Sequence, residues 1–184
     1  GAYTVVLVSR LAKELKLEGI LAAIDCVGLL SQELRIQLVI AGDGPTRVLV
    51  EDRARTVNEA SGRQAIVLVG ELEDPRAAYA VADVALGMGG SALRALAFAK
   101  PLIVQGENGF WELLTPDSLT LFLEQGWYGV GPGSQGGAEW LAQLLRGLLP
   151  DESRRESLGS FGLSTVRERF SLTRGARVLE DFYS

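Results

Sequence analysis

Short, continuously apolar runs alternate with longer stretches whose apolar residues recur at helical spacing. Tyr3-Thr-Val-Val-Leu-Val-Ser9, Arg35-Ile-Gln-Leu-Val-Ile-Ala41 and Ala65-Ile-Val-Leu-Val69 are rich in β-branched residues. Such runs suit strands buried on both faces, as in a parallel sheet covered by helices. Val84-Ala-Leu86 and Pro101-Leu-Ile-Val104 read as a fourth and a fifth strand. Between them the spacing predicts helices over 19–30, from Pro45 to about Ala60, and from Asp74-Pro75 to about Val81. Pro45 and Pro75 suit a first helical turn, Asp74 suits an N-cap, and Ser61-Gly62 is a stop signal.

Past Val104 the pattern loosens. It predicts a short helix over Asn108–Leu114, and a second one capped by Thr115-Pro116 and running to about Glu124. A short strand is expected inside the glycine-rich 126–133, then helices over 137–149 and 152–169 and a last turn from Ser171 to Phe182. No repeat or low-complexity segment is visible. Alternation of strand and helix predicts one Rossmann-like α/β domain with a doubly wound, mostly parallel sheet.

Composition then narrows the chemistry. With 184 residues, 47% of them hydrophobic, the chain can bury a substantial core. A formal net charge of −5 argues against a nucleic-acid backbone as partner, though not against a small phosphorylated ligand. No apolar run reaches the ~20 residues of a membrane-spanning helix. The single cysteine, Cys26, lies in an apolar helical pattern and has no internal partner. Together with the lack of a signal-peptide pattern, this makes the cytoplasm the expected compartment. There is no histidine, which removes Ser-His-Asp and Cys-His nucleophile systems and nearly all zinc sites. Chemistry here must use carboxylates, Arg, Lys, hydroxyls and backbone dipoles, and no metal is expected.

In open parallel sheets ligands sit beyond the carboxyl ends of the strands. Those ends read Ser9-Arg10, Gly42-Asp-Gly44, Gly70-Glu71, Gly87-Met-Gly-Gly-Ser91 and Gln105-Gly-Glu107. Arg10, directly after a buried strand, is placed for a phosphate contact. Gly87, Gly89 and Gly90 allow a sharp bend, and Ser91 begins a helix whose free N–H groups favour an anion. The three-glycine dinucleotide fingerprint is missing after the first strand, which excludes the usual NAD or FAD site. Acidic pairs such as Glu71/Glu73 and Glu51/Asp52 read as solvated charges.

Four blocks, in order, resemble the C-terminal donor-binding domain of GT-B glycosyltransferases, specifically the large retaining family numbered four. They are Val8-Ser-Arg-Leu11, Leu38-Val-Ile-Ala-Gly-Asp-Gly-Pro45, Val67-Leu-Val-Gly70 with Ala77-Ala-Tyr-Ala-Val-Ala-Asp-Val84, and Leu93 to Val104. The tail Leu158-Gly159 with Val166-Arg-Glu-Arg-Phe-Ser171 is similar to that family's terminal helices. The resemblance implies a nucleotide-diphosphate sugar, of UDP or GDP type, lying across the strand ends, and no cofactor. Arg10 matches the arginine that contacts the diphosphate, and its lysine partner maps to Lys16, with Lys13 the alternative. Gly70 and Glu71 match the segment that recognises the base, and Gly42 belongs to the same edge. Gly87-Met88-Gly89 matches the family's turn against sugar and phosphates.

The family also carries two glutamates flanking that turn, one on the donor sugar and one on the ribose. Leu86 and Arg94 stand in their places. Leucine accepts no hydrogen bond, and arginine only donates. Three explanations follow: a divergent transferase in which Glu107 or Ser91 takes over those contacts, a donor carrying a group that pairs with a cation, or a domain that keeps the fold without catalysis. The leading expectation is transfer of a sugar to an unidentified acceptor with retention. The alternatives are a catalytically inactive nucleotide-binding or interaction domain, and an epimerase of similar build, for which a histidine would be expected. The resemblance implies an N-terminal acceptor domain outside this chain, so the chain alone is expected to be inactive. Its start at Gly1, right before the first strand, suggests an excised piece. Phe110-Trp111 and Phe182-Tyr183 are candidates for the surface facing that other domain.

Overall fold

The computed structural model describes residues 1–169. Its six strands are β1 (Tyr3–Val8), β2 (Ile36–Ala41), β3 (Ile66–Gly70), β4 (Val84–Gly87), β5 (Leu102–Gln105) and β6 (Trp111–Leu113). They form one sheet in the order β3-β2-β1-β4-β5-β6. Every pairing is parallel except the last, in which β6 runs antiparallel to β5. The helices are α1 (Leu17–Leu30), α2 (Arg47–Ser61), α3 (Arg76–Ala80), α4 (Gly90–Ala97), α5 (Leu119–Gln125), α6 (Gly137–Leu148) and α7 (Glu152–Arg169).

The unbroken apolar runs follow from two cores on opposite faces of the sheet. Val5 and Leu7 of β1, Leu38 and Ile40 of β2, Val84 and Leu86 of β4 and Ile103 of β5 point to one face. There they meet Ile20, Ile24 and Val27 of α1, Val50 and Ala54 of α2, and Leu141 and Leu145 of α6. The alternate positions Ala85, Leu102 and Val104 pack on the other face against Ala92 and Leu96 of α4, Phe122 of α5 and Val166 of α7. Val6 is buried there against Ala78 and Ala82 around α3. Strands with both faces covered need apolar residues at every position, because side chains alternate between faces.

Most predicted elements lie within two residues of the observed ones. Gly62 ends α2 in the left-handed conformation (φ 70°) expected of a helix-stopping glycine. Two expectations fail after β5. The segment over 108–114 is a reversal and a strand, not a helix. Asn108 (φ 53°) and Gly109 (φ 79°) are both left-handed, and the Phe110 N–H closes the turn on the Glu107 carbonyl at 3.2 Å. Two consecutive positive φ values turn the chain back on itself and match the twist of paired strands. No strand forms within 126–133, where Val130 makes an isolated bridge to Glu107. The α5 helix also starts later than Thr115-Pro116, because Thr115 and Ser118 bond to one another in a turn before it.

Of the candidate surface pair Phe110-Trp111, Phe110 is half-buried and Trp111 buried. Trp111 is 2% exposed, and Phe110 packs edge-on against Phe122 with ring centroids 6.4 Å apart. The pairing of β6 with β5 turns both residues inward. Phe182-Tyr183 and the turn from Ser171 lie outside the described residues.

Candidate functional site

The chain leaves β1 for α1 on one face of the sheet, and leaves the adjacent β4 for α4 on the other. Two neighbouring strands whose connections diverge in this way open a crevice at their carboxyl ends. A cleft of about 770 Å³ lies there, extending past β2 to the end of β3. Arg10, Lys16, Gly42, Glu71, Gly90, Ser91 and Arg94 all line it, alongside Ser9, Asp43, Gly44, Glu73 and Met88.

The loop after β1 supplies two cations. Ser9 prolongs the strand ladder, its N–H donating to the Ala41 carbonyl at 2.9 Å, so Arg10 emerges from a fixed point. Leu11 is fully buried, and its carbonyl accepts from the Thr46 N–H at 3.0 Å, which holds the start of α2 against the loop. Lys16 stands at the N-terminal boundary of α1 and is half-buried, and that burial holds its ammonium pKa below the usual lysine value. Lys13 is exposed and does not line the cleft.

The third cation, Arg94, projects from the second turn of α4. Its Nε is buried with no hydrogen-bond partner. Among the described residues none of Arg10, Lys16 and Arg94 enters an ion pair. Of the carboxylates in the cleft, Asp43 is engaged by the Gly44 N–H (2.8 Å) and by Arg47 (3.2 Å). Glu71 and Glu73 are exposed at the β3 end. The β1/β4 end is therefore electropositive and the β3 end carries the acidic groups.

The glycine bend is partly committed to its own structure. The Gly89 N–H donates to the Trp127 carbonyl at 2.8 Å, and Trp127 stacks on Phe122. The Ser91 hydroxyl accepts from the Met88 N–H (3.1 Å) and donates to the Met88 carbonyl (3.0 Å). Gly89 thus has no N–H to offer a ligand, and Ser91 has no hydroxyl proton to offer one. Gly90 is exposed at the start of α4, where helix N–H groups lack partners within the helix. Gly87 is buried, and a Cβ there would sit 2.8 Å from the Ser91 hydroxyl oxygen. Gly70 closes β3, and its carbonyl accepts from the Gly42 N–H at 2.8 Å.

Four expected site residues, Gly70, Gly87, Gly89 and Glu107, do not line the cleft. Glu107 accepts a hydrogen bond from the Tyr128 hydroxyl, lies beyond β5 and does not line the cleft. Leu86 is 1% exposed within the first core and cannot touch a ligand. Asp43, Gly44 and Met88 lie within the sequence motifs and Glu73 reads from sequence as a solvated charge, yet all four line the cleft. A second groove, of about 600 Å³ between α1, α2 and the start of α6, is lined by Glu18, Asp25 and Glu139 but by no Lys or Arg. It is unsuited to an anion. No group of three or more acidic, Cys or His side chains able to hold a metal occurs among the described residues.

The glycosyl transferases group 1 family model matches residues 2–146. The chain belongs to that family. A comparison with curated protein sequences finds no match. Among solved structures, Anabaena Alr3699/HepE in complex with UDP superposes with a TM-score of 0.66 at 18% identity, covering 98% of this chain and 48% of that one. The C-terminal domain of the group 1 glycosyl transferase LpcC from Francisella tularensis gives 0.64 at 17% identity, over 92% of this chain and 87% of that one. A TarM variant from S. aureus, in complex with fondaparinux, alpha-GlcNAc-glycerol and UDP, gives 0.65 at 13% identity over 98% of this chain and 35% of that one. At these identities the likeness is one of fold, that of the Rossmann-like half of a GT-B enzyme. The chain spans between about a third and a half of the length of HepE and TarM.

Proposed function

We propose that the cleft binds the diphosphate of a nucleotide sugar and that the domain serves glycosyl transfer to an acceptor held by a second domain. The observation that carries this reading is the clustering of Arg10, Lys16 and Arg94, none of them in an ion pair among the described residues, around one crevice at the sheet's switch point. Unpaired cations beside a helix N-terminus suit phosphate oxygens, and burial around Lys16 strengthens its field. When a glycosyl bond to a diphosphate breaks, negative charge grows on the leaving diphosphate. Arg10 and Lys16 stabilise that charge by preorganised electrostatics, without a metal or a histidine. UDP in the HepE and TarM structures is consistent with such a guest. Retention at the sugar carbon follows the family resemblance alone.

A second reading, nucleotide binding without transfer, is favoured by Leu86 and Arg94. The first is locked in the core and the second can only donate, so neither replaces a carboxylate that accepts from sugar hydroxyls. Calorimetry with UDP, GDP and their sugars tests the binding site, and a hydrolysis or transfer assay on a chain carrying the second domain separates the readings. Arg10→Ala is expected to weaken the diphosphates by about ten-fold or more, the worth of a charge-assisted contact. Unchanged binding would remove the diphosphate role.

A further inference from the structure

Gln105 ends β5 and is 1% exposed, among Leu102, Ile103 and Val104, which are equally buried. An amide so enclosed costs free energy unless it is hydrogen-bonded, and an apolar residue would pack there without that demand. Its Nε2 donates at 3.2 Å to the carbonyl of Lys16, far away in sequence. That same carbonyl accepts the Ile20 N–H at 3.1 Å, the first hydrogen bond of α1. The α1 boundary has no side-chain cap, and Leu15 just before it is left-handed (φ 66°), so the turn presenting Lys16 is not fixed by its own sequence. Gly19, buried one turn further on, has no side chain because a Cβ would overlap the Gln105 amide. The Glu18 carboxylate adds a tie, accepting the Gly109 N–H at 3.0 Å.

We propose that Gln105 is a positioning residue: by donating to the Lys16 carbonyl across the sheet it fixes where α1 begins and so holds the Lys16 ammonium in the cleft wall. The inference rests on the diphosphate reading of that wall. It also assigns the end of β5 a part in the site, although Gln105 itself does not line the cleft.

The test measures affinities for UDP, GDP and uridine by calorimetry on the wild-type chain, Lys16→Met, Gln105→Met and the double variant. Gln105→Met keeps the volume and removes the donor. Gln105→Asn, polar but too short to reach Lys16, provides a second variant in case the methionine packs badly. Loss of one neutral hydrogen bond is expected to weaken UDP and GDP roughly three- to ten-fold. The double variant should bind no more weakly than Lys16→Met, and uridine, which has no phosphate, should bind all four proteins alike. Wild-type diphosphate affinity in both Gln105 variants, additive losses in the double variant, or an equal loss for uridine would each overturn the proposal. No effect of Lys16→Met itself would overturn the diphosphate reading instead, which keeps the two failures distinct.

Discussion

Replacing Gly42 by alanine should damage the site through the backbone, although Gly42 has no side chain to offer a ligand. Its φ is 149°, a region that L side chains rarely adopt, and a Cβ there would collide with the Ser9 carbonyl oxygen. Both partners are main chain at the ends of paired strands, where Ser9 bonds to Ala41 and Gly42 bonds to Gly70, so neither can swing aside. Overpacking of this kind costs about 1–3 kcal/mol, and the backbone strain adds about 1–3 kcal/mol. A combined loss of about 3 kcal/mol lowers the melting temperature of a domain this size by roughly 6–12 °C. Gly62→Ala is the control. Gly62 is also left-handed (φ 70°), but open space surrounds it, so strain alone applies, about 1 kcal/mol and roughly 2–4 °C. Thermal denaturation followed by circular dichroism measures both. Because the collision lies one residue before Arg10, Gly42→Ala should also weaken UDP and GDP, while Gly62→Ala leaves them unchanged. Equal melting temperatures for the two variants would refute the reasoning.

Two further outcomes concern the second core and its attachment. Tyr79 is fully buried, its hydroxyl donates to the Ser91 carbonyl at 3.2 Å, and burial pushes its pKa up to about 12, with Arg94 pulling the other way. The folded pKa lies above the unfolded one, so this contribution is intact below about pH 10 and is lost as pH climbs towards 12. Denaturation across that window should show the decline in wild type and a flatter profile in Tyr79→Phe. Asp83 accepts the Thr4 N–H at 2.7 Å and pairs with Arg155 at 3.2 Å, joining the start of β1 to α7. Asp83→Ala leaves both donors short of a partner and should cost about 2–3 kcal/mol in urea denaturation. A cost near zero would mean that solvent replaces both contacts.

The sheet was legible because its strands are buried on both faces and therefore continuously apolar. The hairpin after β5 was equally legible in principle. Asn108-Gly109 is the dipeptide that favours two left-handed residues in succession, but the apolar Phe110, Trp111, Leu113 and Leu114 suggested a helix instead. Sequence order placed Arg10 and Ser91 at strand ends, the family resemblance added Lys16, and the fold gathers all three. What it could not show was how the donors are spent. The Gly89 N–H is taken by Trp127 and the Ser91 hydroxyl by Met88, contacts that exist only once the 126–133 loop has docked on the bend and α4 has formed. Glu107 failed for a related reason, since the reversed chain brings its carboxylate to Tyr128 rather than to the cleft. Gln105 was legible only as one of five polar strand ends, because its particular role comes from the Lys16 carbonyl above it.

The central claim is that a diphosphate occupies the β1/β4 crevice. Titrating UDP or GDP into isotopically labelled protein, and following backbone amides by nuclear magnetic resonance, tests this most directly. The predicted result is saturable shifts concentrated at Arg10, Lys16, Gly42, Gly90 and Ser91, with Gly28 and Thr56 of the acidic groove unmoved. Shifts centred on that groove, or none at millimolar nucleotide, would contradict the account.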